Sequence, residues 1–276
     1  MLYLSAIMEA MNWTLRKWWA VFAIYFQDGI AYRASGLIWV TVDLATAVTM
    51  PLVWARASRA GPIGGFTTSD FILYYLCMLF LGSFVTSHIM WELAMEIKEG
   101  QFSTMLLRPM SFYQLNFFRN LSWRFIRPVL FAPFFVMLLF AYRGYLTHAT
   151  VHLGWEFWTS LVLGHLVSFS FVMMMSMLAL YTQEVTSIFE LYYIPMLFLS
   201  GQLFPIAMLP PWAAHLARLF PFYFTTGAPT EILIGRVAGP AVFPALGMQV
   251  FWIAVCYGLS RILWTRGLKH YTGVGM

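Results

Sequence analysis

Asp43 is the one acid set well inside a long apolar run, between residues 37–42 and 44–51. An ionisable group so placed is costly. It points either to function, as a contact for a cationic substrate or a proton site, or to an interhelical hydrogen bond near Thr41 and Thr46. Glu184 and Glu190 flank the start of a later apolar run, where acids either draw cations to a cavity mouth or are solvated at headgroup level. Met173, Met174, Met175 and Met177 carry soft sulfur, but contiguous methionines point all round a helix. They read as adaptable packing or as a greasy wall against a substrate, with Met174 the candidate for the latter. His88 and His165 have no carboxylate or Cys at ligand spacing and read as packed or hydrogen-bonded histidines, not metal ligands. Cys77 and Cys256 both lie in apolar stretches, which gives neither a disulfide framework nor a thiolate cluster.

Catalytic motifs are missing. Lys17, Lys98 and Lys269 follow Arg16, Ile97 and Leu268, so no Gly-Lys-Ser/Thr loop exists to cradle a nucleotide phosphate. No HExxH, GxSxG or His–carboxylate constellation occurs.

The elements that must position these residues follow from composition. The chain has 276 residues, of which 61% are hydrophobic and 10% charged, and its mean hydropathy is +0.74. Soluble domains carry about 25% charged residues. This is a chain solvated mostly by lipid, and a helix crossing the hydrocarbon needs about 20 apolar residues. Six windows meet that length, at 35–55, 70–91, 128–147, 157–181, 187–205 and 243–264. The pI of 9.3 does not signal nucleic-acid binding, because the cations sit in short loops between the apolar runs. With six spans, eleven of the 16 Lys and Arg fall on the side of the termini, among them Arg16, Lys17, Arg108, Arg119 and Lys269. Arg56, Arg59, Arg143, Arg218 and Arg236 fall on the other. The positive-inside bias puts both termini in the cytoplasm.

Residues 1–32 read as a cytoplasmic interfacial helix and not as a signal peptide. Arg16, Ala20, Ala23 and Gln27 share one face, Trp18, Phe22 and Tyr25 the opposite one, and 27–31 is a poor cleavage site. In the cytoplasmic loop 92–127, Glu92, Glu96 and Glu99 share a helical face, Gly100 supplies a left-handed stop, and Arg108-Pro109 blocks continuation. Ser111 and Gln114 form a capping-box signature for a second helix. Its polar stripe of Asn116, Asn120, Arg124 and Arg127 suits a position along the membrane before Pro128. The residues alone allow an ordinary solvated loop equally well. Outside the cell, 206–242 is broken by prolines; short half-helices around 212–220 and 229–236 dip into the outer leaflet, or the segment is an aromatic loop lying on headgroups.

Glu96-Ile97-Lys98-Glu99-Gly100, the following Leu106-Leu107-Arg108-Pro109, and the outer series Phe204-Pro205, Pro211-Trp212, Pro221-Phe222, Pro229 and Leu233-Ile234-Gly235 together resemble type 2 ABC-transporter permeases. The likeness is nearest to the efflux and viologen-exporter-like branch. It implies an all-α integral membrane fold of six transmembrane helices in a single permease domain, with an interfacial helix, a coupling helix and a broken re-entrant hairpin. By the same likeness, Glu92, Glu96, Glu99, Gly100, Leu106, Leu107, Arg108 and Pro109 form the contact with a separate ATP-binding subunit. Two such subunits, holding the ATP and Mg, pair with this chain and a second permease, identical or homologous. The chain itself holds no cofactor, and the setting is the bacterial cytoplasmic membrane. Aromatic richness, methionine flexibility and sparse polar content point to export of an amphiphilic, lipid-like or drug-like molecule, with Asp43, Glu190 and Met174 along its path. An integral-membrane lipid-modifying enzyme is the alternative; a membrane scaffold predicts no rigid cytoplasmic knob.

Overall fold

A computed structural model describes residues 13–147, 149–182 and 185–271, leaving aside the side chains of Asp43 and several neighbours at 33–47 and of a few residues at 185–189. The described residues form helices joined by short turns. They are α1 (Trp13–Ala31), α2 (Arg33–Ala57), α3 (Thr68–Val85), α4 (Ile89–Lys98), α5 (Phe102–Leu106), α6 (Phe112–Ala141), α7 (Trp155–Ser176), α8 (Val185–Leu199), α9 (Pro211–Leu219), α10 (Ala228–Leu233) and α11 (Val242–Gly267).

Four helical stretches among the described residues are long and apolar enough to cross a membrane: Thr68–Lys98, Phe112–Ala141, Trp155–Leu180 and Gly239–Gly267. The protein is therefore a multi-pass, all-helical membrane protein. The first expected span falls within α2. The fifth is shorter than read, because α8 stops at Leu199 and not at 205. Fifteen residues reach roughly 22 Å at about 1.5 Å each. Gly201 at φ +90° turns the chain there, and the hydroxyls of Tyr74 and Tyr75 donate to the carbonyls of Gly201 and Leu203 at 2.9 and 2.8 Å.

The loop 92–127 departs most from expectation. Its second half is not a separate helix lying on the membrane but the first half of α6, which runs 30 residues through Pro128 and Pro133. A proline inside a helix removes one hydrogen bond, yet the helix continues through both. Asn116, Asn120 and Arg124 are buried, and Phe118 and Phe125 pack on Trp18 and Phe22 of α1. The aromatic face of α1 thus meets α6. Ser111 precedes the helix without a side-chain cap, so the Ser111–Gln114 box is not formed.

Contacts sort the turns into two ends. Lys17 Nζ donates to the Pro109 carbonyl at 3.4 Å and Ser103 pairs with Tyr271 at 3.1 Å, gathering α1, the 98–110 turn and the end of α11. At the opposite end Arg236 donates to the Gly65 carbonyl at 2.8 Å and His152 N–H to the Leu233 carbonyl at 2.7 Å. Lys17, from the larger group of cations, lies at the first end, and Arg236, from the smaller group, at the second.

Candidate functional site

The second span is one apolar run in sequence and two helices in space. α3 ends at Val85, Thr86 is extended (φ −69°, ψ 119°), and α4 starts at Ile89. Backbone groups freed inside a membrane must find partners, and side chains from two other helices, α6 and α7, supply them. The Arg124 guanidinium donates to the Thr86 carbonyl and, at 3.4 Å, to that of Ser83. Ser87 N–H donates to Ser168 Oγ at 2.9 Å and Ser87 Oγ to Asn120 Oδ1 at 3.0 Å. His165 Nδ1 lies 3.2 Å from the Val85 carbonyl, and His88 Nδ1 lies 3.1 Å from the Tyr193 hydroxyl. Both histidines therefore have hydrogen-bonding roles here. Sequence reading placed Arg124 and Asn120 on a solvated stripe and missed this cluster; the Thr86-Ser87-His88 interruption between apolar runs was the available signal.

Beyond the break, Glu92 and Glu96 do not form an open acidic face. Arg119 bridges them, its two terminal nitrogens each 2.8 Å from one carboxylate, with Glu96 and Arg119 largely buried. Gly100 has φ +80°, the left-handed conformation that glycine adopts without strain. α5 then seats Phe102, fully buried, edge-on to Phe112, Trp264 and Tyr271. Outward from this anchor project Lys98, Glu99, Leu106, Arg108 and Pro109, with Leu107 86% exposed. Of the eight residues read as a contact surface, Glu92 and Glu96 are turned to an internal partner. The remainder form the tip and its glycine hinge.

The 206–242 segment is more helical and more buried than its prolines suggested. α9 covers the first half-helix, with Pro211 and Trp212 exposed. The second begins about eight residues before the expected start at 229: a wide turn at Tyr223–Gly227 leads into α10, and every residue from 221 to 233 is buried, Pro221 and Pro229 included. Pro229 has no N–H to offer the Thr225 carbonyl, and the helix widens there, Ala228 N–H reaching the Tyr223 carbonyl. Pro205 is also buried. A Cβ on Gly164 of α7 would run into the Thr225 carbonyl, so the hairpin backbone lies directly on that helix. Gln249 of α11 donates to the carbonyls of Ser160 and Phe224 at 3.0 and 2.9 Å.

This hairpin holds a buried acid that sequence reading did not single out. Glu231 is 3% exposed and accepts a 2.7 Å hydrogen bond from the Tyr223 hydroxyl. Burial pushes its carboxyl above the ordinary range, opposed by that hydroxyl and by Arg218 and Arg236. The substrate-path candidates do not converge. Glu190 is exposed on α8 and Met174 is half-buried against a core that includes Met173, Met175 and Met177. The Asp43 side chain and Glu184 lie outside the described residues.

Comparison with known proteins agrees with this architecture. No curated protein matches the chain. The profile of the ABC-2 family transporter proteins matches residues 44–275, from within α2 past the end of α11 and across both the 98–110 turn and the 206–242 hairpin. Over that extent the chain belongs to the ABC-2 family of transporter proteins, the membrane permeases of ABC transporters, which work with an ATP-binding subunit.

Proposed function

We propose that this permease exports an amphiphilic, lipid-like or drug-like molecule from the cytoplasm or inner leaflet, driven by two copies of a separate ATP-binding subunit that dock on the 98–109 turn. In this reading both termini are cytoplasmic, six helices span the bacterial inner membrane, a second permease, identical or homologous, completes the pore, and the partner binds the ATP and Mg. The observation that carries it is the combination of an exposed tip and a clamped base. Leu107 projects into solvent while Phe102, five residues earlier, is fully buried, and the Arg119 bridge fixes the helix leading in. A nucleotide-driven displacement passes through such a turn, whereas a slack loop would absorb it. Beside the tip a cavity of about 320 Å³ is lined by Met105, Leu106, Met173, Met177 and Trp264, an adaptable apolar surface suited to a docking partner.

The test is purification with the products of neighbouring genes. An ATPase should copurify with the parental chain, and Leu107→Asp should release it while insertion stays normal. If no ATPase is retained, or if it is held equally by Leu107→Asp, docking at this turn is wrong.

A further inference from the structure

Glu231, on α10, is buried with its carboxyl group only half satisfied. Oε2 accepts the 2.7 Å hydrogen bond of the Tyr223 hydroxyl, whereas Oε1 has no hydrogen-bond partner among the described residues. The ionisable groups around it are engaged elsewhere. From α3, Tyr74 donates to the Gly201 carbonyl at 2.9 Å, and Cys77 packs with Ile232 and Leu233. From α9, Arg218 lies over the Tyr223 ring, 5.9 Å from its centre. Past α10, Arg236 donates to the Gly65 carbonyl at 2.8 Å and lies 3.6 Å from Asp70, and a Cβ on Gly235 would meet the His152 ring. α7 brings Phe157, Leu161 and Gly164 to this hairpin and α11 brings Gln249, none of which titrates. Apolar packing holds most of the seat. Gln249 donates to the Phe224 carbonyl, but beyond its own helix Thr230 reaches only the Met78 sulfur, a weak acceptor, at 3.7 Å.

We infer that Glu231 is a proton-binding site that seats the hairpin: with the proton bound, the 221–233 stretch packs against α3 and α7, and with the proton released it yields to water. A neutral carboxyl keeps the Tyr223 bond and leaves one oxygen unpaired. An ionised one carries a full charge with a single donor, and burying such a charge costs far more than burying a polar group. Hydration of the hairpin relieves that cost. The surrounding charges agree in sign: burial, the largest influence, raises the carboxyl above its ordinary range, while Tyr223, Arg218 and Arg236 oppose it without reversing it. The seated form therefore holds its proton more tightly than a hydrated carboxyl does. Seating is firmest below about pH 4.3, where both forms keep the proton, and weakens as pH rises through the raised value. The inference goes beyond export and depends on neither ATP, the partner subunit nor the orientation of the chain.

The experiment compares the full parental chain with Glu231→Gln in detergent from about pH 5 to about pH 8.5, by thermal melting and by chymotrypsin cleavage after Tyr223 and Phe224. Comparison at each pH cancels the other titrating groups and the pH dependence of the protease. As pH rises, the parental melting temperature should fall relative to Glu231→Gln by about 2–4 °C, the scale for one displaced titration in a chain of this size. At the alkaline end the parental chain should also be cut several-fold faster at those two residues. Tyr223→Phe removes the donor that favours the charged form, so it should move the parental transition to higher pH. That variant carries the test if Glu231→Gln does not fold. A melting difference that does not change with pH overturns the proposal, as does one in which the parental chain gains on Glu231→Gln as pH rises, the mark of an ionised carboxylate stabilised by arginine. A Tyr223→Phe transition at unchanged or lower pH overturns it too. A pH-dependent melting difference with equal cleavage at Tyr223 and Phe224 would put the loosening outside the hairpin and overturn the seating role.

Discussion

At residue scale the 98–110 turn rests on three chemically different contributions. Gly100 sits at φ +80°, so Gly100→Val should strain the backbone by about 1–2 kcal/mol and tilt the tip. Arg108→Glu inverts a charge on the exposed face. Each variant should insert normally yet lose substrate-stimulated ATPase activity in the assembled transporter, measured in reconstituted membranes; transport at the parental rate by the double variant would remove the turn from the coupling path. The third contribution is the Glu92–Arg119–Glu96 bridge. Arg119→Met leaves Glu96 largely buried without its cation and should destabilise the chain by up to about 3 kcal/mol. Adding Glu96→Met should restore most of that, because the unpaired charge is the larger part of the loss. A thermal melt in detergent that shows simple addition of the two effects would mean the bridge is only a surface pair.

At the scale of elements, two interruptions organise the molecule, and both are stabilised by side chains from other helices. The break at 86–88 is bonded by Arg124, Asn120, Ser168 and His165. The 206–242 hairpin packs its entire 221–233 stretch inside the protein and lies on Gly164. Gly164→Val is therefore expected to separate α7 from the hairpin. Backbone cannot give way as a flexible side chain can, so overpacking should cost about 1–3 kcal/mol or more. The check is a lower melting temperature together with new protease sensitivity between residues 205 and 240; an unchanged melt would show that the hairpin is not seated on α7.

For the whole molecule, the proposed orientation rests on the unequal division of Lys and Arg between the two groups of turns. A cysteine placed at Arg59 or Arg143, both exposed, should react with an impermeant thiol reagent in intact cells. One at Arg108 or Lys269, also exposed, should react only after the membrane is opened. Arg119 is unsuitable for this purpose because it is committed to two carboxylates. The reverse labelling pattern would invert the topology and place the Leu107 tip outside the cell, out of reach of any cytoplasmic ATPase.

The sequence by itself determined that this is a helical membrane protein, where three of its long helices fall to within a few residues, and which turns collect cations. Those properties depend on composition and run length, which are local. Gly100 as a helix stop was legible for the same reason: a left-handed position selects its residue type without reference to distant parts of the chain. What the sequence did not reveal is which polar groups face inward. Asn116, Asn120 and Arg124 have the spacing of a solvated stripe, and only the packing of α1, α4 and α7 around α6 turns that stripe into the polar lining of a broken helix. Glu92 and Glu96 have the spacing of an exposed acidic face until Arg119, more than twenty residues away, bridges them. Glu231 lay among prolines in a segment read as superficial, and it is buried because the hairpin folds back against α3, α7 and α11. Amphipathic spacing separates two faces of a helix. Which face meets protein, lipid or water is set by neighbours distant in sequence, and so by tertiary structure alone.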